Sequence, residues 1–189
     1  RWTPAKRRRI LDSRVDGTDL LARTVANMID PPPVWLSASA VGYYGDRGDA
    51  VLDEQSESGE GFLAEVARRW EAATAPAEDR GMRVVHLRLG AVLSPRGGML
   101  AALRPLFNLG LGAKIGSGRQ FTPWISIDDT VGAMAHLLDD ASVSGPVNFV
   151  APQAVTNAEF ARTLGRAMGR PAFLAVPEPV VNLLAGDMA

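Results

Sequence analysis

The sequence contains no cysteine, which excludes disulfides, thiolate nucleophiles and zinc sites built on cysteine. Histidine is nearly absent as well, with two in 189 residues. Neither His86 nor His136 has a ligand partner nearby in sequence, so no metal centre is expected. Charge of either sign is not in excess: the formal net charge is −1, which gives no global field for nucleic acid or an anionic membrane. The one basic run, Lys6 to Arg9, lacks interleaved aromatics and reads as a solvated helix face, not a nucleic-acid site. No apolar run approaches the ~20 residues that cross a bilayer. Aromatics make up 6% of the chain, and Tyr43 and Tyr44 are its only tyrosines. The lack of cysteine suits a reducing cytoplasm, the expected location. Arg1 opens the chain without a targeting pattern, and Gly186 to Ala189 close it inside a helical-looking segment. Both ends suggest an internal piece of something longer.

What remains is an ordinary globular composition, 47% hydrophobic and 22% charged, in a chain long enough for a real core. Leu11, Val15, Thr18, Ala22, Val25 and Ile29 alternate at spacings of four and three and predict a first helix over 6–29, stopped by Pro31, Pro32 and Pro33. Val34 to Leu36 predicts a strand. Asp46 to Gly61 is polar and acidic, a long loop of the kind that often carries function. A second helix is expected over 62–80, ended by Gly81. Arg83 to Leu89 reads as a strand, followed by a loop over 90–98 and a helix over 99–109. The glycine-rich stretch 110–118 predicts a flexible loop or hairpin. Asp128 is placed as the N-cap of a helix reaching Asp139, with Val131, Met134, Ala135 and Leu138 buried. Val147 to Val150 predicts a short strand. Thr156 and Glu159 make a capping box for a last helix with Phe160, Leu164 and Met168 inward. Strands alternating with helices mean a parallel sheet with helical layers.

In such a sheet, ligands sit beyond the carboxyl ends of the strands. The segment Leu36 to Gly45, Leu-Ser-Ala-Ser-Ala-Val-Gly-Tyr-Tyr-Gly, leaves a strand there, so Ser37, Ser39, Tyr43 and Tyr44 stand where a ligand would be. The alternative is a strand exit rich in turn formers.

Four segments in order carry a resemblance: Ser-Ala-Ser-Ala-Val-Gly-Tyr-Tyr-Gly, Arg88-Leu-Gly-Ala-Val-Leu-Ser-Pro95, Gly116-Ser-Gly-Arg-Gln-Phe-Thr-Pro-Trp-Ile-Ser-Ile-Asp-Asp129 and Gly145-Pro-Val-Asn-Phe-Val150. Together they resemble the extended short-chain dehydrogenase/reductase superfamily, in its sugar-nucleotide epimerase/dehydratase branch. The Gly-Tyr-Tyr-Gly form and the Ala-Glu-Val…Trp-Glu helix look most like an atypical subfamily called epimerase family proteins, often labelled cell-division inhibitors. The resemblance implies an α/β Rossmann-type parallel sheet with flanking helices, its N-terminal half incomplete, plus part of a small C-terminal substrate lobe. Residues 1–98 would form the back half of the dinucleotide-binding domain. Residues 99–189 would mix the substrate lobe with returning Rossmann elements at about 125–150. The implied cofactor is NADP or NAD, and the implied partner a small or nucleotide-linked substrate, with a homodimer left open. On this resemblance the phosphate-binding turn would lie upstream of Arg1, and Gly116-Ser117-Gly118 is no substitute, because it does not join a strand to a helix.

The superfamily uses a tyrosine and a lysine four residues apart on one helix face, where the cation favours the phenolate that exchanges a proton. Phe62 and Val66 occupy those positions here, and with Trp70 they form an apolar stripe. By resemblance Ser39 hydrogen-bonds the reacting oxygen, with a strand-end turn serine as the equal alternative. Tyr43 is then the substitute proton carrier, or one of a packed tyrosine pair. Ser37 and Ala38 are implied cofactor contacts, as are Gly90, Ala91 and Val92, whose small side chains let backbone approach a flat ring. Tyr44, Arg119 and Gln120 are the implied substrate contacts, Thr122 standing where relatives place an arginine for pyrophosphate. Arg88 reads as an ion-pair partner, His86 as structural, and Asp128 with Asp129 as capping residues.

Overall fold

A computed structural model describes residues 3–172 and 174–177; the two chain ends discussed above lie outside them. In chain order the elements are α1 (Pro4–Ala26), β1 (Val34–Ala40), a 3-10 turn (Val41–Tyr44), α2 (Phe62–Ala72), α3 (Ala75–Glu78), β2 (Arg83–Leu89), β3 (Ala91–Leu93), α4 (Gly98–Asn108), β4 (Ala113–Ile115), β5 (Trp124–Ser126), α5 (Ile127–Asp139), β6 (Gly145–Phe149), α6 (Asn157–Ala167) and β7 (Leu174–Val176). The α/β Rossmann-type class holds. The chain divides into two compact units, Thr3–Gly90 with Asp128–Phe149, and Ala91–Ile127 with the residues from Val150 onward.

The first unit is built on a parallel sheet ordered β1-β2-β6. Strand β1 runs the full length of β2, from Val34 beside Arg83 to Ala40 beside Leu89. It is thus longer than the expected Val34 to Leu36, because parallel pairing carries Ser37 to Ala40 along despite their turn-forming character. Central β2 buries Val84, Val85, Leu87 and Arg88, the two-sided burial of a covered parallel sheet. Ala22 of α1, Ala77 of α3, Met82 and Val84 make one apolar cluster, with Val25 and Trp35 against it.

Helix α1 stops at Ala26, short of Ile29, with the Asn27 side-chain amide donating to the Arg23 carbonyl at 2.7 Å. Ile29 is consequently exposed. The expected 62–80 helix breaks after Ala72; Pro76, near the start of the short α3, lacks the N–H a continuous helix would need. The apolar stripe on α2 packs as its spacing predicts. Val66 is buried, the Arg7 guanidinium lies over the Phe62 ring, and the Trp70 indole N–H donates to Thr18 Oγ1 at 2.9 Å.

Helix α5 begins at Ile127, so Asp128 and Asp129 lie inside its first turn instead of capping it, where carboxylates still suit the positive helix end. Its buried residues are Thr130 and Leu137, while Val131 and Leu138 are 58% and 54% exposed. The inward stripe lies one residue back from the expected one, because it includes a threonine that an apolar count passes over. At the far end of α5, the Arg83 guanidinium donates to the carbonyls of Leu137 (3.0 Å) and Val143 (2.9 Å), answering groups the helix terminus leaves unpaired.

The second unit holds two short parallel pairs, β3 with β5 and β4 with β7. The stretch expected as a loop over 90–98 contains β3, and the 110–118 stretch contains β4, paired in parallel and not as a hairpin. The capping box of α6 is present, with Thr156 Oγ1 accepting from Glu159 N and Glu159 accepting from Thr156 N. Phe160, Leu164 and Met168 are half-buried behind fully buried Ala161 and Gly165.

Candidate functional site

All three parallel strands of the first unit end at one crest, and each delivers a polar side chain near it: Ser39 from β1, Arg88 from β2 and Asn148 from β6. Arg88 is only 3% exposed. A guanidinium tolerates burial only when its charge and its N–H groups are answered. Glu71 of α2 answers with both oxygens, accepting from Arg88 Nε and Nη2 at 2.9 Å each. The Ser39 hydroxyl donates to the same carboxylate at 2.6 Å. Arg88 Nη1 reaches the Tyr44 hydroxyl at 3.0 Å and the Glu54 carbonyl at 3.4 Å. Tyr44 donates onward to Asn148 Oδ1 at 2.7 Å, and Glu54 accepts from the Asn148 backbone N–H at 2.8 Å. Burial works against the Arg88 charge, but its bonds to Glu71 and Tyr44 outweigh burial and raise its already high pKa.

Tyr43 meets Arg88 differently. The guanidinium carbon lies 3.5 Å from the centroid of the Tyr43 ring, a face contact that leaves the edge N–H groups free for Glu71 and Tyr44. The two tyrosine rings meet edge to face at 5.4 Å. Among the described residues none hydrogen-bonds the Tyr43 hydroxyl. The acidic loop 46–61 is drawn onto this crest by the Glu54 contacts and by Gly59 N–H donating to the Tyr43 carbonyl at 2.9 Å.

Ser39, Tyr43 and Tyr44 are therefore brought together, and Ser37 and Ala38 lie beside them on β1, Ser37 buried and Ala38 exposed. Gly90 follows β2 and donates its N–H to Phe149 at 3.1 Å. Ala91 and Val92 begin β3, in the second unit. Arg119 and Gln120 also belong to that unit, in the turn before β5; Gln120 donates its side-chain amide to the Ile115 carbonyl at 3.0 Å, and Arg119 is exposed. Glu71, Glu54 and Asn148 were not singled out from sequence. Asn148 had a signal, a lone amide among Pro146, Val147 and Phe149, since a polar group in a covered strand needs a partner. Among the described residues, no group of three or more His, Asp or Glu is placed to hold a metal ion, and no helix is long and apolar enough to cross a membrane.

No protein-family model matches the chain. An epimerase family protein of Mycobacterium bovis is 47% identical over 189 residues, covering all of this chain and 62% of the relative. The crystal structure of a human epimerase family protein with NADPH superposes with a TM-score of 0.94 at 40% identity, covering 99% of this chain and 63% of that one. Over its whole length the chain is similar to these epimerase family proteins. A nucleoside-diphosphate sugar epimerase of Corynebacterium glutamicum, 43% identical, superposes at a TM-score of 0.80 over 97% of this chain and 41% of its own. The chain thus spans about 62% of the length of its epimerase-family relative from Mycobacterium bovis. On α2, Val66 is buried and Phe62 is half-buried beneath the Arg7 guanidinium.

His86, beside this network on β2, sits with Nε2 2.9 Å from Thr74 Oγ1 and 3.5 Å from Glu78. The Thr74 hydroxyl has one proton and faces the Glu78 carboxylate at 2.6 Å, so the ring nitrogen is best satisfied as the donor to Thr74. Burial pushes the His86 pKa down and outweighs the pull of Glu71 and Glu78. The unfolded chain then binds the proton more readily, and stability falls as pH drops through the ordinary histidine value of 6.5. Thermal unfolding of His86→Gln across pH 5 to 8, about the range histidine titrates in, is expected to show a shallower acid slope than the parent. An unchanged slope would contradict a neutral, buried His86.

Proposed function

We propose that the full-length protein binds NADP(H) or NAD(H) and carries out reductase or epimerase chemistry on a small or nucleotide-linked substrate, with Tyr43 as the proton carrier. The observation that carries the reading is the crest itself: a phenol whose hydroxyl has no hydrogen-bond partner among the described residues, stacked under a buried guanidinium where parallel strands end. The human and Corynebacterium relatives, named for NADPH and for a nucleoside-diphosphate sugar, support the ligand classes. The residues present fit a flat ring, since Ala38, Ala40 and Gly90 put small side chains at the strand ends. When bound, the dinucleotide would supply the hydride donor or acceptor. Ala91 and Val92 remain proposed cofactor contacts and Arg119 a proposed substrate contact, on the resemblance. Gln120 is weaker, because its amide is already engaged.

In this reading Ser39 does not take the superfamily role. Its hydroxyl is turned to Glu71, so in this reading it orients that carboxylate instead of a reacting oxygen. The same fact, with Phe62 and Val66 at the usual pair positions, favours a second reading: a dinucleotide-binding protein without turnover. Full-length protein assayed with NADPH and with NADP against a panel of UDP-sugars separates the two. Tyr43→Phe is expected to lower turnover about 10²-fold, within the usual range for a lost proton carrier, with NADPH affinity unchanged. Binding without turnover on any substrate would leave the silent reading, and failure to bind either dinucleotide would remove both. Sedimentation of the same protein reads self-association as a homodimer.

A further inference from the structure

We infer that Arg88 is a positioning residue that presents the Tyr43 hydroxyl and withholds that of Tyr44, with Glu71 and Ser39 as its anchors. The inference rests on the proposed role of Tyr43 but concerns what holds it. The two tyrosines are sequence neighbours with the same chemistry; the guanidinium carbon lies 3.5 Å from the Tyr43 ring centroid and 5.1 Å from that of Tyr44, but the guanidinium bonds the hydroxyl of Tyr44 alone. Its edge bonds the Tyr44 hydroxyl, which also donates to Asn148 and is buried. Its face covers the Tyr43 ring, and that hydroxyl is unbonded among the described residues. Both contacts depend on the plane of one guanidinium. That plane is fixed by the two-pronged bond to Glu71, whose Oε1 is held in turn by Ser39.

Only arginine can do this. Four edge hydrogen bonds and a face contact require a planar, delocalised cation, whereas a lysine ammonium is a point charge with no face to stack. In relatives carrying the usual pair a lysine sits one helix turn from the tyrosine; here Val66 holds that place, and the cation comes from the neighbouring strand instead. It is buried against the ring and not aimed at the hydroxyl.

The test uses full-length protein, with tetranitromethane as probe and each tyrosine read by peptide mass spectrometry. In the parent, Tyr43 is nitrated and Tyr44 is spared. In Arg88→Lys, Tyr44 nitration rises about tenfold as its local protection is lost. Thr18→Ala, which removes the hydrogen bond to Trp70 on the helical side of the sheet, lowers thermal stability without changing the nitration pattern, and so controls for general loosening. Tyr44 still spared in Arg88→Lys, or exposed equally in Thr18→Ala, overturns the inference. Where the substrate panel gives turnover, Arg88→Lys lowers kcat about 10- to 100-fold, as misplacing a reacting group does, with NADPH affinity held. The same change in a Tyr43→Phe background then costs nothing further, because both act through one hydroxyl. Additive losses overturn the positioning role alone. Full turnover in Tyr43→Phe overturns the proton-carrier reading and the positioning role with it, while the nitration pattern still reads the clamp.

Discussion

Replacing Arg88 with methionine is expected to destabilise the protein by about 3–5 kcal/mol, the loss usual when one partner of a buried ion pair is removed. Methionine fills much of the same volume, so the loss is not chiefly a cavity. It comes from what is left behind. The Glu71 side chain is only 11% exposed, and without Arg88 its carboxylate retains, among the described residues, just the Ser39 hydroxyl. The Tyr44 hydroxyl loses a donor and the Glu54 carbonyl loses its tie to the crest. Urea unfolding of parent and variant measures the difference. Arg88→Met combined with Glu71→Gln is expected to be more stable than Arg88→Met alone, because it no longer buries an unanswered charge while the amide still accepts from Ser39. A loss below about 1 kcal/mol, the worth of an exposed ion pair, would mean that water reaches the site and that the crest is not the closed network described.

That network shows where the sequence was legible and where it was not. Each strand of the three-stranded sheet was found, because apolar β-branched runs between breakers are a local signal, and the ligand-facing segment was located because it follows such a strand. The α6 capping box was legible for the same reason, its two partners being three residues apart. The limits of β1 and the parallel pairing of β4 with β7 were not, since each is decided by a partner far along the chain, and the inward face of α5 was not because it includes Thr130. Leu174 to Val176 lies about sixty residues beyond Ala113 to Ile115, and nothing local announces that pairing. Likewise Ser39 meets Glu71 across 32 positions and Tyr44 meets Asn148 across 104. Glu71 and Asn148 both fall within segments that carried the family resemblance, yet their task emerges only when helix and strands converge on one guanidinium. Arg88 was expected to be an ion-pair partner and is one; that it also stacks on Tyr43 could not be read from spacing.

Gly59→Ala should be nearly as damaging, about 3–4 kcal/mol, in the range kept for clashes that backbone must absorb. A methyl carbon at Gly59 would sit 2.0 Å from the Tyr44 carbonyl oxygen, 2.5 Å from its carbon and 2.8 Å from Gly45 N. All three are backbone atoms, so no rotamer change relieves the contact, and either the loop or the tyrosine turn must move. Movement of the loop breaks the Gly59 hydrogen bond to the Tyr43 carbonyl and strains the Glu54 contacts to Arg88 and Asn148. The damage is thus directed at the crest. Hydrogen exchange is expected to speed up in the backbone amides of residues 46–61 and at Asn148, while α6, in the other unit, stays as protected as in the parent. Gly17→Ala is the matched contrast. Gly17 is exposed on α1 with nothing within 4 Å of an added methyl, so the alanine gains up to about 1 kcal/mol of helix propensity. If Gly59→Ala were tolerated as Gly17→Ala is, the loop would not be seated against Tyr44, and the acidic strap over the strand ends would have no part in holding the two tyrosines.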